Sequence, residues 1–158
     1  MTTKATLSPP IKFEDTVSFL LAKVATAFRN ALERSMGEIH LHGGMVFVLL
    51  ELWKQDGLRQ IDLAKRLNLS APTVNKMLKG LIEDKLVTRS RIDDDARSTR
   101  VFLTNNGREI RKEIERQWHE LEESCLAGIT EAERMMLVEL LGKIRNTYCG
   151  GDADEDDV

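Results

Sequence analysis

The chain has 158 residues, of which 42% are apolar, 31% charged and 5% aromatic, with a formal net charge of −3. This is the composition of a helix-rich soluble protein with room for one domain and some additional helix, and too short for two ordinary domains. The longest apolar run, Met45 to Leu50, is far below the ~20 residues that span a bilayer; residues 1–10 show no signal-peptide pattern; and Cys125 and Cys149 lie far apart without a CxxC pair, so a reduced, cytoplasmic protein with no membrane partner is expected.

In chain order, residues 1–12 read as a flexible start. Val17, Leu20, Leu21, Val24, Phe28, Ala31 and Leu32 recur at helical spacing and predict one long amphipathic helix from Phe13 to about Met36. Gly37, Gly43 and Gly44 interrupt the pattern, and a more buried helix is expected from Met45 to Gln55, ended by Asp56-Gly57. Two short helices follow, Gln60 to Leu67 and Ala71 to about Lys85. Val87 to Ile92 and Thr99 to Leu103 then read as a two-stranded hairpin around a polar tip, residues 93–98. Thr104 can cap a long helix reaching Leu126, with Ile110, Ile114, Trp118, Leu121 and Cys125 on one stripe, where Cys125 is expected to pack. Thr130 and Glu133 form a capping box before a last helix carrying Met136, Leu137, Leu140, Leu141 and Ile144. Residues 150–158 form an acidic tail with the composition of a disordered segment.

The charge is unevenly spread. Arg59 to Arg111 holds 12 Lys/Arg against 7 Asp/Glu, whereas the rest of the chain holds 11 against 19. A basic middle inside an acidic frame is compatible with phosphate contacts, which need local rather than overall positive charge.

The order of three helices followed by a hairpin is the plan of a winged helix-turn-helix. Ala64 is small where two helices cross, Asn68 suits a turn with positive φ, Val74 points inward, Ser70 can cap the second helix and Pro72 falls in its first turn, where a missing N–H costs little. With Val74, Leu78 and Leu81 inward, Ala71, Thr73, Asn75, Lys76 and Lys79 remain outward, and these are groups suited to base edges and phosphates in a major groove. An ordinary solvated helix face has the same composition, so this helix does not decide the matter alone.

The run Leu63-Ala64-Lys65-Arg66-Leu67-Asn68-Leu69-Ser70-Ala71-Pro72-Thr73-Val74, with Leu86-Val87-Thr88-Arg89, Asp95-Ala96-Arg97 and Leu103-Thr104-Asn105-Asn106-Gly107, resembles the MarR family over about Phe13 to Tyr148. The coupling of D-x-R to L-T-x-x-G at fixed spacing is the most telling part. The resemblance implies a mainly α fold with a small β-hairpin wing, in which 45–104 form the winged-helix DNA-binding core and 13–40 and 105–149 supply dimerisation helices. It also implies a homodimeric repressor on a palindromic operator in double-stranded DNA. Arg97 would enter the minor groove, since a cation suits that groove's negative potential, and Asp95 would orient it or a neighbouring arginine; Ser70, Thr73, Asn75, Lys76, Lys79, Arg89 and Arg91 (the last two as phosphate or structural partners) and, less directly, Arg100 complete the expected DNA-binding set. Lys85 stands where the family often has Gly, so either it takes a left-handed conformation or the helix runs on.

By the same resemblance a small molecule, a small aromatic acid for example, would release the DNA. Phe28, His42, Phe47 and Arg111 lie on segments able to line such a site. Redox or metal response, and a winged-helix module that binds protein instead of DNA, are the alternatives. His40, His42, Glu38 and His119 match no zinc spacing. No G-x-S-x-G, P-loop, HExxH or Rossmann pattern appears, so no catalytic residue, metal or cofactor is expected.

Overall fold

A computed structural model describes residues 11–91 and 99–149. Residues 1–10, the wing tip 92–98 with Asp95 and Arg97, and the acidic tail from 150 lie outside the described residues. The first helix, α1 (Val17–Gly37), begins later than its apolar spacing suggested, after a single 3-10 turn over Phe13–Asp15. Thr16 sets that boundary. Its hydroxyl donates to the Phe13 carbonyl at 2.7 Å and accepts the Phe19 N–H at 3.3 Å, satisfying a donor that the helix start leaves open.

Helix α2 (Gly43–Lys54) starts earlier than expected and includes both glycines. Its first N–H is capped from α1, because the Glu33 carboxylate accepts the Gly43 N–H at 2.8 Å and pairs with His42 Nδ1 at 2.7 Å. A Cβ at Gly43 would lie 3.1 Å from the Glu33 backbone nitrogen, so glycine lets the two helices meet here. Val46, Val48, Leu49 and Leu52 of α2 are buried and form the centre of the core. Each such side chain contributes ~1.5–3 kcal/mol relative to exposure.

The next segment is the winged helix-turn-helix. It consists of β1 (Leu58–Arg59), α3 (Gln60–Leu67), α4 (Ala71–Glu83), β2 (Val87–Arg91) and β3 (Thr99–Leu103). The sheet has three antiparallel strands in the order β1-β3-β2, not the two expected, since Leu58 pairs with Val101 and Arg59 with Arg100. A two-residue strand is too short to leave an alternating pattern in sequence. Ala64, Leu63, Val74, Leu78, Leu81 and Val101 are buried together. Asn68 takes φ 50° in the α3–α4 turn, and Lys85 takes φ 57° after α4, which therefore ends at Glu83.

The single long helix expected after Thr104 is two, α5 (Asn105–Glu109) and α6 (Arg111–Cys125), joined through Ile110, which keeps right-handed geometry. Thr104 governs this junction. Its backbone N–H donates to the Leu86 carbonyl at 3.0 Å, and its hydroxyl reaches the Lys85 and Leu86 carbonyls at 2.7 and 3.0 Å while accepting the Gly107 N–H at 3.0 Å. Gly107 packs so closely that a Cβ would run into the Leu86 carbonyl, and its own carbonyl accepts Trp53 Nε1–H at 2.9 Å. Asp56 braces the same corner, accepting from Leu103 N–H at 2.9 Å and from Arg108 at 2.8 Å.

Helix α6 packs on α1. There the buried Gln117 accepts from Ser35 at 2.7 Å and donates to Glu38 at 3.1 Å. Cys125 does not pack as expected but is exposed at the end of α6, where the stripe has already left the core. Helix α7 (Glu131–Cys149) starts with the capping box, Glu133 accepting the Thr130 N–H at 2.8 Å. Arg134 ties it to Glu122 of α6 at 3.2 Å. Along α7, Met135, Met136, Val138 and Leu140 are exposed, as are Phe13, Val17, Leu20 and Val24 at the other end of the chain.

Thr104→Val keeps the shape but loses the cap, and is expected to cost about 1–2 kcal/mol. Gly107→Ala is expected to cost about 1–3 kcal/mol through overpacking. Urea unfolding at one fixed protein concentration measures both, with an unchanged slope. The hydrogen bond from His42, aided by the Gly43 N–H, holds the Glu33 carboxyl below its ordinary 4.5 despite some burial. A carboxyl with a depressed folded value stabilises above the unfolded value and loses that contribution as pH falls through the folded one. Acid unfolding below about pH 4.5 should accordingly be shallower in Glu33→Gln than in the parent chain, as followed by circular dichroism.

Candidate nucleic-acid interface

Helix α4 is held by Val74, Leu78 and Leu81, and every residue expected to face outward on it does so: Ala71, Thr73, Asn75, Lys76 and Lys79 are exposed. Ser70 caps the helix, accepting the Thr73 N–H at 3.3 Å, and its hydroxyl also meets the Thr73 hydroxyl at 2.8 Å. These two side chains thus fix the helix start and each other. Lys76 and Lys79 form no ion pair among the described residues, in contrast to Arg59, Arg66, Arg108 and Arg111.

The hairpin brings a further group to this face. Arg89 on β2 stands opposite the buried Val101, and its guanidinium donates to Asn75 Oδ1 at 2.7 Å. Helix and wing are therefore joined by two of the expected DNA-binding residues. Arg91 is the last residue of β2, paired with Thr99. Arg100 is not brought to this group. It pairs with Ser90 and Arg59 in the register alternate to Arg89, and its guanidinium donates to the Gly57 carbonyl at 2.9 Å.

Three arginines of the middle segment, Arg59, Arg66 and Arg108, are committed to internal pairs. Arg59 makes a two-pronged contact with Asp62 at 2.8 and 2.9 Å, which holds the Asp62 carboxyl below its ordinary range. Arg66 reaches Gln55 at 2.5 Å and Glu51 at 3.7 Å, and Arg108 reaches Asp56 at 2.8 Å. Sequence spacing marked none of these as structural, apart from Arg59 and Asp62, whose separation of three is visible at a helix start.

A cavity of about 550 Å³ opens between α2, α6 and α7, lined among others by Trp53, Lys54, Arg111, Trp118, His119 and Arg134. Of the four residues expected at an effector site, only Arg111 lines it; its guanidinium lies 5.6 Å from the Trp53 ring centroid and pairs with Glu115 at 2.7 Å. Phe28 and Phe47 instead pack edge-on against Trp118, with centroids 5.8 and 6.1 Å away, and His42 stands at the start of α2 with Glu33. Helical spacing assigns Trp118 to an apolar stripe and marks neither Trp53 nor Arg134 as a lining residue.

Comparison with known proteins agrees with this geometry. The MarR family model matches residues 45–99, from α2 to the first residue of β3. The HTH-type transcriptional regulator YdgJ of Bacillus subtilis (strain 168) is 32% identical over 99 residues, covering 63% of this chain and 60% of that protein, so the match spans less than two thirds of YdgJ. The structure of BpsR of Bordetella bronchiseptica, described for regulation of its DNA binding by 6-hydroxynicotinic acid, is similar with a TM-score of 0.76 at 26% identity, covering 87% of this chain and 99% of that one. A MarR family regulator from Listeria monocytogenes complexed with 26mer DNA shares the fold, with a TM-score of 0.75 at 21% identity over 86% of this chain and 91% of that one. With its α4 face, its wing strands and its L-T-x-x-G junction in place, the chain matches the MarR family over residues 45–99 and shares the winged helix-turn-helix fold of MarR-type regulators.

Proposed function

We propose that the chain is a sequence-specific DNA-binding repressor that acts as a homodimer on a palindromic operator and is released by a small aromatic acid. The observation that carries the DNA-binding part is the exposed face of α4, on which Thr73, Asn75, Lys76 and Lys79 stand clear of internal ion pairs beside the wing strand. A helix so presented fits a major groove, where side chains near its start meet base edges and lysines meet phosphates. Arg97 and Asp95, at the tip between β2 and β3, are assigned the minor-groove contact and its orientation; Arg91 and Ser70 are assigned to the backbone. Arg100, turned to the Gly57 carbonyl, has the weakest claim.

The dimer is supported by apolar surface that the chain itself leaves open. The first turns of α1 and most of α7 expose Val17, Leu20, Val24, Met135, Met136 and Val138. Exposed large apolar residues in this number support an interface. A two-fold pairing through 13–40 and 105–149 would set two α4 helices one DNA turn apart, about 34–36 Å, and so read a palindrome. The effector is placed in the cavity beside Arg111. Its volume falls in the usual range for small-molecule sites, Trp53 and Trp118 offer ring faces, and Arg111, Lys54 and Arg134 offer charge to a carboxylate. BpsR, whose DNA binding is regulated by 6-hydroxynicotinic acid, gives the chemical class.

On palindromic duplexes selected from a random library by the parent chain, at about 150 mM salt, Lys76→Ala should weaken binding to all sequences alike and lower the salt slope by about 1. Arg97→Ala should lose A·T preference at the flanks. Retained affinity in both variants would remove these residues from the interface. Aromatic acids should quench tryptophan fluorescence saturably, and Arg111→Met should weaken the best of them about tenfold, as expected for loss of a charge-assisted contact. Equal quenching in the two proteins would place the ligand elsewhere.

A further inference from the structure

The contact between Arg89 and Asn75 carries a consequence for base choice, which rests on the DNA-binding reading above. A guanidinium has only N–H donors, so the atom of the Asn75 amide that faces it must be the carbonyl oxygen. The 2.7 Å separation is that of a charge-assisted bond. The Asn75 amide is thereby fixed in one orientation, with Oδ1 toward Arg89 and Nδ2 as its donor end. Among the described residues nothing else bonds to Nδ2. Arg89 is itself anchored, because it lies between buried Val87 and the strand end and stands opposite buried Val101.

An asparagine on a recognition helix reads adenine by using both halves of its amide, Nδ2 donating to N7 and Oδ1 accepting from the N6 amino group. Here Oδ1 already holds a cation. An amino group approaching the remaining lone pair would meet the donors of Arg89 at close range, donor against donor. What the pair offers to a base is a surface of N–H groups alone. Guanine, whose major-groove edge carries the acceptors N7 and O6, complements that surface.

We propose that Arg89 is a positioning residue that sets base preference, turning Asn75 from an adenine reader into a guanine reader. It acts by occupying one atom of a neighbouring side chain, so its loss should change which base is preferred and not only how tightly DNA is held.

The test is selection of binding sites from a random duplex library by the full-length chain at about 150 mM salt, in parallel with four variants. Asn75→Ala identifies the base pair concerned, as the position at which preference disappears. At that position the parent chain should select guanine. Arg89→Ala, which frees Oδ1, should select adenine there, with guanine falling about tenfold, and Arg89→Lys should keep guanine because a donor still holds Oδ1. Asn75→Asp, which keeps the pair but presents only acceptors, should move the preference to cytosine, whose N4 amino group donates; this variant tests the idea even if Arg89→Ala does not fold. Adenine selected by the parent chain would overturn the proposal. So would an Arg89→Ala motif identical to the parent's with affinity uniformly reduced, the mark of a phosphate contact, or guanine retained by Asn75→Asp. Enrichment of no motif by any of the proteins would instead overturn the DNA-binding reading, and this inference with it.

Discussion

The arrangement of this molecule turns on one threonine hydroxyl. Thr104 joins the end of α4, through the Lys85 and Leu86 carbonyls, to the first turn of α5, through the Gly107 N–H. Carbonyls left open at a helix end and N–H groups left open at a helix start are costly where they are partly buried. A single side chain meets both needs because a hydroxyl donates and accepts. The wing follows directly, since β3 runs into Thr104 and β2 leaves from Leu86. Helix α6 follows as well, since Trp53 holds the Gly107 carbonyl and sets α5 against α2. The L-T-x-x-G motif therefore describes a joint, in which Leu103 fills the core, threonine ties two termini and glycine admits the neighbouring carbonyl. A shift of this joint would move the wing relative to the helices that carry the apolar outer faces.

Electrostatics are sorted by the fold into structural and available charge. The middle of the sequence is basic as a whole, yet Arg59, Arg66, Arg108 and Arg111 each face a carboxylate of their own neighbourhood. Such exposed pairs add little stability individually. Their effect is geometric, because a guanidinium spent on Asp62 or Asp56 no longer adds to the field that a phosphate would feel. The charge left over includes Lys76 and Lys79 on α4, with Arg89 held across to Asn75. A chain with net charge of −3 can thus still present a cationic helix face.

Aromatic packing separates two regions that lie side by side. On one side of Trp118, Phe28 and Phe47 stack edge-on and close the junction of α1, α2 and α6. On the other, Trp118 and Trp53 leave an open cavity edged by Arg111 and Arg134. The same residue types at the same helical spacing serve as filling in one place and as a lining in the other. The difference comes from α7, which contributes Arg134 rather than an apolar plug.

Much of this was determined by the sequence. Apolar periodicity placed the helices, and residues with local conformational preferences fixed the turns: Ser70 and Thr130 as caps, Pro72 in a first turn, Asn68 in a left-handed position. These are interactions between residues a few positions apart, and a linear pattern records them. The outward face of α4 was legible for the same reason, since burying Val74, Leu78 and Leu81 leaves no choice for the rest. Only the tertiary structure decided what depends on distant partners. It added β1 to the sheet, moved the start of α2 through a carboxylate from α1, turned Arg100 away from the α4 face and brought Arg89 onto Asn75. It also left Cys125 exposed and drew Trp53 and Trp118 to the cavity in place of Phe28, Phe47 and His42. Such contacts join residues 10 to 54 positions apart, and no periodicity within either segment specifies which side chain will be opposite.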